Sequence, residues 1–243
     1  MNAKHKTVVT IPTYNEKENI EELIQCIFDY VPQSHILVID DDSPDGTASI
    51  VQCLSEKDSR VHLLLRNGKR GRGLAGIAGF KKALEMGADI VVEMDADFSH
   101  HPKYIPLMLE EIQNCDVVVG SRFVPGGKDM DRAWFRQLLT QWANFYIRSI
   151  LGLKLYDCNS GFRCFRRKPL EQAELDRFVS TGPSIVQELL YKCHLHQCRI
   201  TEIPIEFLDR KKGKTKLNFK ALLKGFSMII WLKFHSLFFG VKY

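Results

Sequence analysis

The amino-acid sequence predicts an α/β fold in which a mostly parallel central sheet is flanked by helices. Short, continuous apolar segments alternate along the chain with segments whose apolar residues recur at helical spacing. Buried apolar strands joined by amphipathic helices are typical of a parallel sheet covered on both faces. A chain of 243 residues is long enough for one such domain with a short appendage.

Strands and helices alternate regularly through the first half of the chain. Apolar runs predict strands at 7–11, 36–39, 61–65, 90–94 and 117–119. Pro12 is expected to end the first strand, because proline has no N–H to donate to a neighbouring strand. Apolar residues at helical spacing predict helices at 20–31, 74–86 and 104–112, and the turn residues 45–47 predict the start of a further helix containing Val51.

This regular alternation ends after Phe123. The proline and two glycines at 125–127 predict a flexible loop that acts as a mobile lid. Beyond this loop, the pattern predicts helices at 134–150 and 184–194, a strand at 200–207 and a basic loop at 209–216.

Polar residues follow four of the predicted strands, at the point where each strand ends. These segments are 12–16, 40–43, 95–97 and 120–122. In open α/β sheets, ligands bind outside the carboxyl ends of the strands. The four segments therefore predict a binding site at one edge of the sheet.

Asp95 and Asp97 are the most informative residues at this edge, because they lie one residue apart after a buried strand. Two carboxylates this close repel each other, and burial disfavours both charges. A bound divalent cation removes the conflict: Mg²⁺ or Mn²⁺ takes one or two protein carboxylates and leaves its other positions to water and substrate phosphates. The pair predicts a metal-assisted enzyme acting on a nucleotide or another phosphorylated substrate.

The charge and the cysteines narrow the class of protein. The formal net charge is +5, and basic residues are concentrated at 166–168 and 209–216. This suits a phosphate-bearing substrate or an acidic membrane surface, and no nucleic-acid partner is expected.

The seven cysteines form no Cys-x-x-Cys pair, which argues against a disulfide framework or a zinc ribbon. No apolar signal segment precedes the first strand, so we expect a cytosolic protein with reduced thiols.

The last 26 residues, 218–243, are rich in aromatic and aliphatic side chains. A membrane-spanning helix needs about 20 largely apolar residues, and Lys233 and His235 interrupt the most apolar part. The pattern favours an amphipathic helix lying in the membrane interface. The alternative is a helix packed on the protein's own core. We therefore expect a main domain at 1–217 and an interfacial helix at 218–243.

Five segments resemble, in order and spacing, the motifs of the family 2 glycosyltransferases. They are 12–16, 40–47, 95–102, 120–123 and 160–163. Ser-His-His-Pro at 99–102 is similar to the family members that transfer mannose to dolichyl or other polyprenyl phosphates; relatives that use UDP-glucose more often have Gln-Asp-Pro-Pro there. The resemblance extends to about Leu217 and implies that 1–217 is a catalytic domain with the GT-A-type nucleotide-sugar-binding fold.

The resemblance also implies which residues bind the nucleotide of the donor. By position, Pro12, Tyr14 and Glu16 shape the nucleotide pocket, and Val38 and Asp40 contact the base and the ribose.

The same resemblance assigns the diphosphate site. Asp95, Ala96 and Asp97 hold the diphosphate through Mg²⁺ or Mn²⁺, with Asp95 and Asp97 as the metal ligands. Three cationic side chains are implied to contact phosphate groups: Arg122, Arg210 and Lys216. Asp97 and Arg122 are the implied catalytic residues.

The acceptor-phosphate site is assigned to Ser160 and Arg163. An alternative for Arg163 is a buried ion pair with Asp157 or Glu188, because arginines also serve packing and pairing. One departure from the family pattern is Asp42, which stands where many relatives have glycine and puts the local turn geometry in question.

The implied reaction is transfer of mannose from GDP-mannose to a polyprenyl phosphate. A phosphate monoester has its second pKa near ~6 and is largely dianionic at neutral pH, so this nucleophile needs no strong base from the protein. Single displacement inverts the anomeric centre and gives a β-linked mannosyl phosphate. The resemblance places such an enzyme on the cytoplasmic side of a membrane, with a small membrane subunit or a second copy of the chain as further partners.

Three other interpretations remain open from the sequence. Residues 71–76 form a literal G-x-G-x-x-G with Asp95 further along, as in dinucleotide-dependent oxidoreductases, although these glycines follow the third strand rather than the first. A non-catalytic membrane scaffold and a transferase of glucose or another sugar from a UDP-sugar are the others.

His100 and His101 lack a third zinc ligand at matching spacing, so we expect a role in loop packing or substrate contact.

Overall fold

The computed structural model describes residues 5–130, 134–180, 182, 184–208 and 219–239. In chain order the strands are β1 (Thr7–Thr13), β2 (His35–Asp40), β3 (Val61–Leu65), β4 (Ile90–Glu93), β5 (Val117–Ser121), β6 (Lys128–Met130), β7 (Arg163–Arg166), β8 (Ile200–Pro204) and β9 (Glu206–Leu208). The helices are α1 (Ile20–Tyr30), α2 (Thr47–Lys57), α3 (Arg72–Glu85), α4 (Ile105–Glu111), α5 (Trp134–Leu151), α6 (Arg167–Gln172), α7 (Ile185–Leu195) and α8 (Phe219–Phe239), with a 3₁₀ turn at Pro102–Tyr104.

Seven strands form the central sheet, in the order β3-β2-β1-β4-β7-β5-β8. All neighbouring pairs are parallel except those of β7, which is antiparallel to both β4 and β5. The two remaining strands, β6 and β9, form a separate parallel pair. The predicted fold class, a mostly parallel sheet flanked by helices, is confirmed.

The core lies on both faces of the sheet, as the continuous apolar strands require. Neighbouring residues of β1 point to opposite sides: Val8 belongs to one buried cluster and Val9 to the other. The cluster around Val8 receives buried side chains from α3, α5, α7 and α8, and the cluster around Val9 receives them from α1, α2 and α4. Each face is therefore closed by helices, and the carboxyl edge of the sheet is left for the loops.

Pro12 does not end the first strand as expected. β1 continues to Thr13, and Pro12 is in register with Ile39 of β2. On its other side, β1 is paired with β4 only as far as Thr10. Pro12 therefore lies where β1 has lost one neighbour, and a missing N–H is tolerated at such an edge position.

The second half of the chain differs most from the expectation. The strand expected at 200–207 is two strands: β8 pairs with β5, and β9 pairs with β6 after a break at Ile205. The glycines of the expected lid form a tight turn, in which Gly127 N donates to Val124 O at 2.9 Å. A side chain at Gly127 would lie 2.6 Å from the Ser121 carbonyl oxygen, so the turn packs against the end of β5.

Helix α8 packs on the protein's own helices along one face. Ile229 and Leu232 are buried in the cluster that also contains residues of α5 and α7. Tyr146 of α5 donates to the Phe226 carbonyl oxygen at 3.1 Å. The alternative of a helix packed on the core is thus confirmed for this face, while the expected boundary at 217/218 lies outside the described residues. No helix in the described part of the chain is long and apolar enough to cross a membrane.

Candidate functional site

Asp40 and its neighbours fix the loop that follows β2. Asp40 is fully buried, and its carboxylate accepts hydrogen bonds from Thr13 Oγ1 at 2.9 Å, Ser43 N at 2.8 Å and Ser43 Oγ at 2.7 Å. Asp41 accepts from Gly71 N at 2.7 Å and pairs with Arg66. These two carboxylates hold backbone segments in place at the carboxyl edge of the sheet, which we call the rim.

Asp42 adopts a left-handed backbone conformation, with a φ of 55°. Glycine occupies such positions at no steric cost, and aspartate is among the few other residues that tolerate them. This conformation explains why Asp42 is accommodated where the resemblance led us to expect glycine. The question that the sequence raised about the turn is answered, because the turn forms with an ordinary substitute for glycine.

Tyr14 lies at the rim beside Arg70. The Tyr14 hydroxyl accepts from Arg70 Nη1 at 2.9 Å, and the guanidinium lies 4.8 Å from the centre of the Tyr14 ring. Tyr14 is 44% exposed, so its ring has a free surface for a planar group such as a nucleotide base. Glu16 faces the same rim, where its backbone N–H donates to Thr47 Oγ1 at 3.0 Å and its carboxylate accepts from Asn19 Nδ2 at 2.8 Å.

Asp95 and Asp97 lie in the loop directly after β4. Phe98 has a φ of 58°, and Ser99 N donates to Asp97 Oδ1 at 3.1 Å, so the loop turns sharply behind the second carboxylate. Ala96 is buried between the two aspartates. The loop therefore fixes the spacing of two carboxylates at the carboxyl edge of the sheet.

Arg72, the first residue of α3, reaches this pair of carboxylates. Its Nε donates to Asp95 Oδ1 at 2.8 Å, and its Nη1 lies 3.7 Å from Glu93 Oε1. Burial alone would lower the pKa of Arg72, but the charges of Asp95 and Glu93 raise it above its ordinary value. Arg72 is therefore a permanent positive charge beside Asp95. The sequence interpretation missed it, although it lies within the glycine motif.

His100 closes the inner side of the same loop. It is buried between the rings of Phe162 and Phe207, with ring centres at 5.3 and 5.4 Å, and its Nδ1 lies 3.7 Å from Asp95 Oδ2. Burial lowers the pKa of His100, which is therefore neutral at neutral pH. His101 Nδ1 accepts from Lys103 N at 3.1 Å. Both histidines make contacts within the loop, which agrees with the loop-packing alternative of the sequence prediction and leaves substrate contact untested.

Arg122 follows β5 and forms a bidentate ion pair with Asp157. Arg122 Nε lies 2.7 Å from Asp157 Oδ2, and Nη2 lies 2.8 Å from Oδ1. The backbone of Asp157 is held in turn by Glu202, which accepts its N–H at 2.8 Å. The guanidinium plane faces Phe207, 5.0 Å from the ring centre. Arg122 is thus a rigidly held cation at the rim, and its charge helps to lower the pKa of His100.

Arg163 lies in the interior of the protein, where its side chain is fully buried. Its guanidinium pairs with Glu93, and its Nη1 donates to the Val186 carbonyl oxygen of α7 at 3.2 Å. Both members of the pair are fully buried. The alternative of a buried ion pair is thus correct in kind, but its partner is Glu93; Asp157 pairs with Arg122, and Glu188 accepts from the backbone N–H groups of 179 and 180.

The segment before β7 enters the site because β7 is antiparallel to its neighbours. Its first residue, Arg163, is in register with Glu93 and Val119, near the carboxyl ends of β4 and β5. Ser160 is buried and its Oγ accepts from Phe162 N at 3.3 Å. A side chain at Gly161 would overlap the guanidinium of Arg72 and lie 3.4 Å from Asp95 Oδ2. The 160–163 motif therefore lies against the Asp95 loop.

The structure gives no side-chain contact at the rim for four assigned residues, two of which it does not describe. Val38 is fully buried in the core beneath it, so its position does not favour contact with a base. Ala96 is also part of that core cluster. Arg210 and Lys216 lie outside the described residues, so their phosphate contacts stay predictions.

The G-x-G-x-x-G segment has a packing role in this structure. A side chain at Gly73 would overlap the carbonyl oxygen of Gly182, and one at Gly76 would lie 2.9 Å from Glu93 Oε1. These glycines bring α3 close to β4 and to the chain before α7. Because packing accounts for both glycines, the motif gives no support to a dinucleotide site.

The residues at the rim fit a divalent cation that is completed by a ligand. Among the described residues, no three histidine, cysteine, aspartate or glutamate side chains come together as a metal site. Two carboxylates, however, are the number that Mg²⁺ usually takes from a protein when substrate phosphates and water supply the rest. Asp95 and Asp97 would hold such an ion.

Comparison with curated proteins finds mannosyltransferases among the relatives. The chain is 39% identical over 213 residues to the undecaprenyl-phosphate mannosyltransferase of Micrococcus luteus, covering 88% of both proteins. It is 39% identical over 215 residues to the polyprenol monophosphomannose synthase of Mycolicibacterium smegmatis, covering 88% of this chain and 81% of that protein.

Solved structures share the fold at low sequence identity. Glucosyl-3-phosphoglycerate synthase from Mycobacterium tuberculosis, in complex with Mn²⁺, UDP and glucosyl-3-phosphoglycerate, aligns with a TM-score of 0.66 at 18% identity, covering 96% of this chain and 79% of that one. A mannosyltransferase from Pyrobaculum calidifontis, in complex with GDP-Man and Mn²⁺, aligns with a TM-score of 0.55 at 16% identity, covering 97% and 75%. The expected GT-A-type fold is confirmed.

The family model described as glycosyl transferase family 2 matches residues 8–173. This segment contains four strand-end loops of the rim and the 160–163 motif, which together carried the resemblance in the sequence. The chain belongs to glycosyl transferase family 2.

Proposed function

We propose that this protein transfers mannose from GDP-mannose to a polyprenyl phosphate and inverts the anomeric carbon. The observation that carries the proposal is the Asp95–Asp97 loop at the carboxyl end of β4, where two carboxylates suit a metal-bound diphosphate. The names of the relatives, which specify mannose and polyprenyl phosphate acceptors, support the substrate class. GDP-mannose is the donor usual for such enzymes.

The leaving group sets the chemical demand on the site. Negative charge develops on the diphosphate as the bond to the sugar breaks, and a divalent cation, Mg²⁺ or Mn²⁺, supplies Lewis-acid stabilisation when it is bound. Asp95 and Asp97 are the residues that would hold it. Arg122, which Asp157 holds at the same rim, is proposed as a phosphate contact; this proposal rests on the resemblance. Arg210 and Lys216 are proposed as further phosphate contacts, on the strength of the resemblance alone.

The acceptor needs little activation by the protein. A phosphate monoester is largely dianionic at neutral pH, so its oxygen attacks the anomeric carbon without losing a proton to a base. The buried, neutral His100 is therefore assigned to holding the loop rather than to proton transfer. Ser160 remains the proposed acceptor-phosphate contact. The burial of Arg163 against Glu93 does not favour that role for the arginine.

The acceptor is a lipid, and α5 and α8 offer a surface for a bilayer. The two helices contact each other, and both expose large apolar side chains. We define the aromatic surface as the following exposed residues: Trp134, Phe135, Leu138, Trp142 and Phe145 of α5, and Trp231, Phe234 and Phe238 of α8. Arg148 and Lys233 lie on the same helices. Aromatic rings beside basic residues suit a membrane interface, so we assign the protein to the cytoplasmic face of a membrane.

A panel of nucleotide sugars tests the proposed reaction. Radiolabelled GDP-mannose, UDP-glucose and other donors are offered with a short polyprenyl phosphate and Mg²⁺ or Mn²⁺, and the label in the organic phase is counted. Product from GDP-mannose alone is expected. Product from UDP-glucose would overturn the sugar and leave the reaction type intact. No product from any donor would favour a non-catalytic scaffold.

The same assay, with and without a small membrane protein or at varied protein concentration, tests the subunit and self-association proposals.

A further inference from the structure

Arg72 shares Asp95 with the proposed cation site. Its Nε donates to Asp95 Oδ1 at 2.8 Å, so one oxygen of a proposed metal ligand already has a positive partner. A guanidinium and a divalent cation on the same carboxylate repel each other, and this repulsion is strong at the partly buried end of β4. Arg72 therefore opposes the binding of a metal ion that arrives alone.

The two Nη atoms of Arg72 indicate that its guanidinium binds a second partner. Nη1 and Nη2 are both buried, and neither has a hydrogen-bond acceptor among the described residues. Nη1 lies 3.7 Å from Glu93 Oε1, which is beyond hydrogen-bond distance. Leaving buried N–H donors of a charged group without an acceptor is costly, so a ligand that supplies oxygen atoms is favoured here.

The backbone around Arg72 leaves room for its guanidinium beside Asp95. Gly161 lies where any side chain would overlap Nη2, so the 160–163 motif makes this space. An arginine fork fits two oxygen atoms of a phosphate group, which a lysine does not match in geometry. A diphosphate held near Asp95 and Asp97 brings such oxygen atoms within reach of this arginine.

We propose that Arg72 couples the binding of the metal ion to the binding of the nucleotide diphosphate. In the empty enzyme it pairs with Asp95 and weakens metal binding; with the nucleotide present, its Nη atoms donate to phosphate oxygens and the penalty on the metal is relieved. Arg72 is a positioning residue for Asp95 and a phosphate contact. This inference rests on the proposed function, because it requires a nucleoside diphosphate at the site.

The test measures Mn²⁺ binding by electron paramagnetic resonance, with and without GDP, in wild type and in Arg72→Met. We expect Arg72→Met to bind Mn²⁺ alone about tenfold more tightly. We also expect the factor by which GDP tightens Mn²⁺ binding to fall about tenfold, within the usual range of coupling between sites. Arg199→Met removes the same charge from an exposed arginine at the amino end of β8 and should change neither quantity.

A second variant keeps the test informative if Arg72→Met does not fold. Arg72→Lys retains the charge and loses the fork, so Mn²⁺ alone should bind as in wild type while the GDP coupling falls. Unchanged coupling in the folded variants, or weaker binding of Mn²⁺ alone in Arg72→Met, would overturn the inference and leave the proposed function standing. A wild-type protein that binds Mn²⁺ but no GDP would overturn both.

Discussion

The aspartates at the ends of the strands have two kinds of surroundings. Asp40 and Asp41 are buried and accept hydrogen bonds from rim backbone and hydroxyl groups. Asp95 is partly exposed and is approached by Arg72 and His100, while Asp97 turns the loop through Ser99 N. Carboxylates of the first kind fix the backbone around the site, and those of the second kind are the proposed metal ligands.

Replacing Asp97 by asparagine separates its chemical role from its structural one. Asparagine retains an oxygen that accepts from Ser99 N but lacks the charge that a divalent cation requires. We expect mannosyl transfer to fall about a thousandfold or more, and the free energy of unfolding to stay within about 1 kcal/mol of wild type. Radiolabel transfer and urea unfolding measure the two effects.

Asp42→Asn is the matched control for that substitution. It removes the same charge from the same rim, and asparagine tolerates the left-handed conformation at this position. Transfer should remain within about twofold of wild type, since the expected effect on a surface site is small. Full activity of Asp97→Asn, or full activity of wild type in excess chelator, would remove the metal role.

The sequence predicted which strand-end segments share one edge of the sheet better than it predicted the contacts among their side chains. Asp95 and Asp97 were predictable because two acids so close together after an apolar strand repel each other unless a cation binds them. The partner of Arg163 was not, because an ion pair between Glu93 and Arg163 joins residues 70 positions apart in the chain. Arg72 was overlooked since its role depends on the space that Gly161 leaves for it.

At the scale of elements, β7 determines how the site is assembled. It is antiparallel between β4 and β5, and it delivers the 160–163 segment to the carboxyl edge from which parallel strands depart. Alternating apolar segments predicted the parallel strands, whereas β7 has only four residues and begins and ends with arginine. With only two residues between its arginines, such a strand has no apolar run to reveal it. Its first arginine can be buried there because Glu93 of β4 neutralises its charge.

Glu93→Gln tests the ion pair that joins β4, β7 and α7. Removing Glu93 leaves the charge of Arg163 buried without its partner, which should lower the free energy of unfolding by about 3 kcal/mol or more. Urea unfolding measures the loss. Glu206→Gln breaks exposed pairs with Lys103 and Lys128 and should change the free energy of unfolding far less than Glu93→Gln, because exposed ion pairs contribute little.

A further variant separates structural pairing from acceptor binding. The double variant Glu93→Gln with Arg163→Met removes both charges and should recover part of the lost stability. If Arg163 instead contacts the acceptor phosphate, Arg163→Lys will raise KM for the lipid phosphate while stability stays near that of wild type. That outcome would contradict the interior role given to Arg163.

For the whole molecule, a pair of partly buried histidines predicts a loss of stability in mild acid. His35 and His62 on β2 and β3 lie 3.1 Å apart between ring nitrogens. Burial lowers the pKa of both, and nearby positive charges lower it further. The unfolded chain therefore binds protons first as the pH falls, so this stability is complete above about pH 6.5 and is lost below it, by up to about 1.4 kcal/mol per pH unit for each histidine.

Unfolding in urea between pH 7 and 5 measures that loss. His62→Gln removes one of the two groups and should reduce the loss between pH 6.5 and 5.5, by at most about 1 kcal/mol. His5→Gln, at an exposed position before β1, makes the same substitution away from this pair and serves as its control. Equal slopes for wild type and His62→Gln would show that the pair does not carry the effect.

If the aromatic surface docks on a bilayer as proposed, it orients the whole molecule towards the lipid acceptor. One face of α8 is buried against α5 and α7, so the exposed rings of both helices belong to one folded body. Docking these rings in a bilayer requires no change in the core. The sequence predicted an interfacial α8 on its own; the contribution of α5 emerges only from the contact between the two helices.

Trp142→Glu tests this orientation. Trp142 is 68% exposed, so the change should leave the fold intact. It should lower binding to vesicles containing anionic lipid about tenfold, because an indole that would be buried in the bilayer is replaced by a charge. Leu65→Glu makes a similar change at an exposed residue of β3, away from this surface, and should bind as wild type. Vesicle sedimentation measures binding. Transfer to a short, soluble polyprenyl phosphate without vesicles should be unchanged in both variants. Unaltered sedimentation of Trp142→Glu, or a dimer that only this variant disrupts, would assign the surface to a protein partner instead.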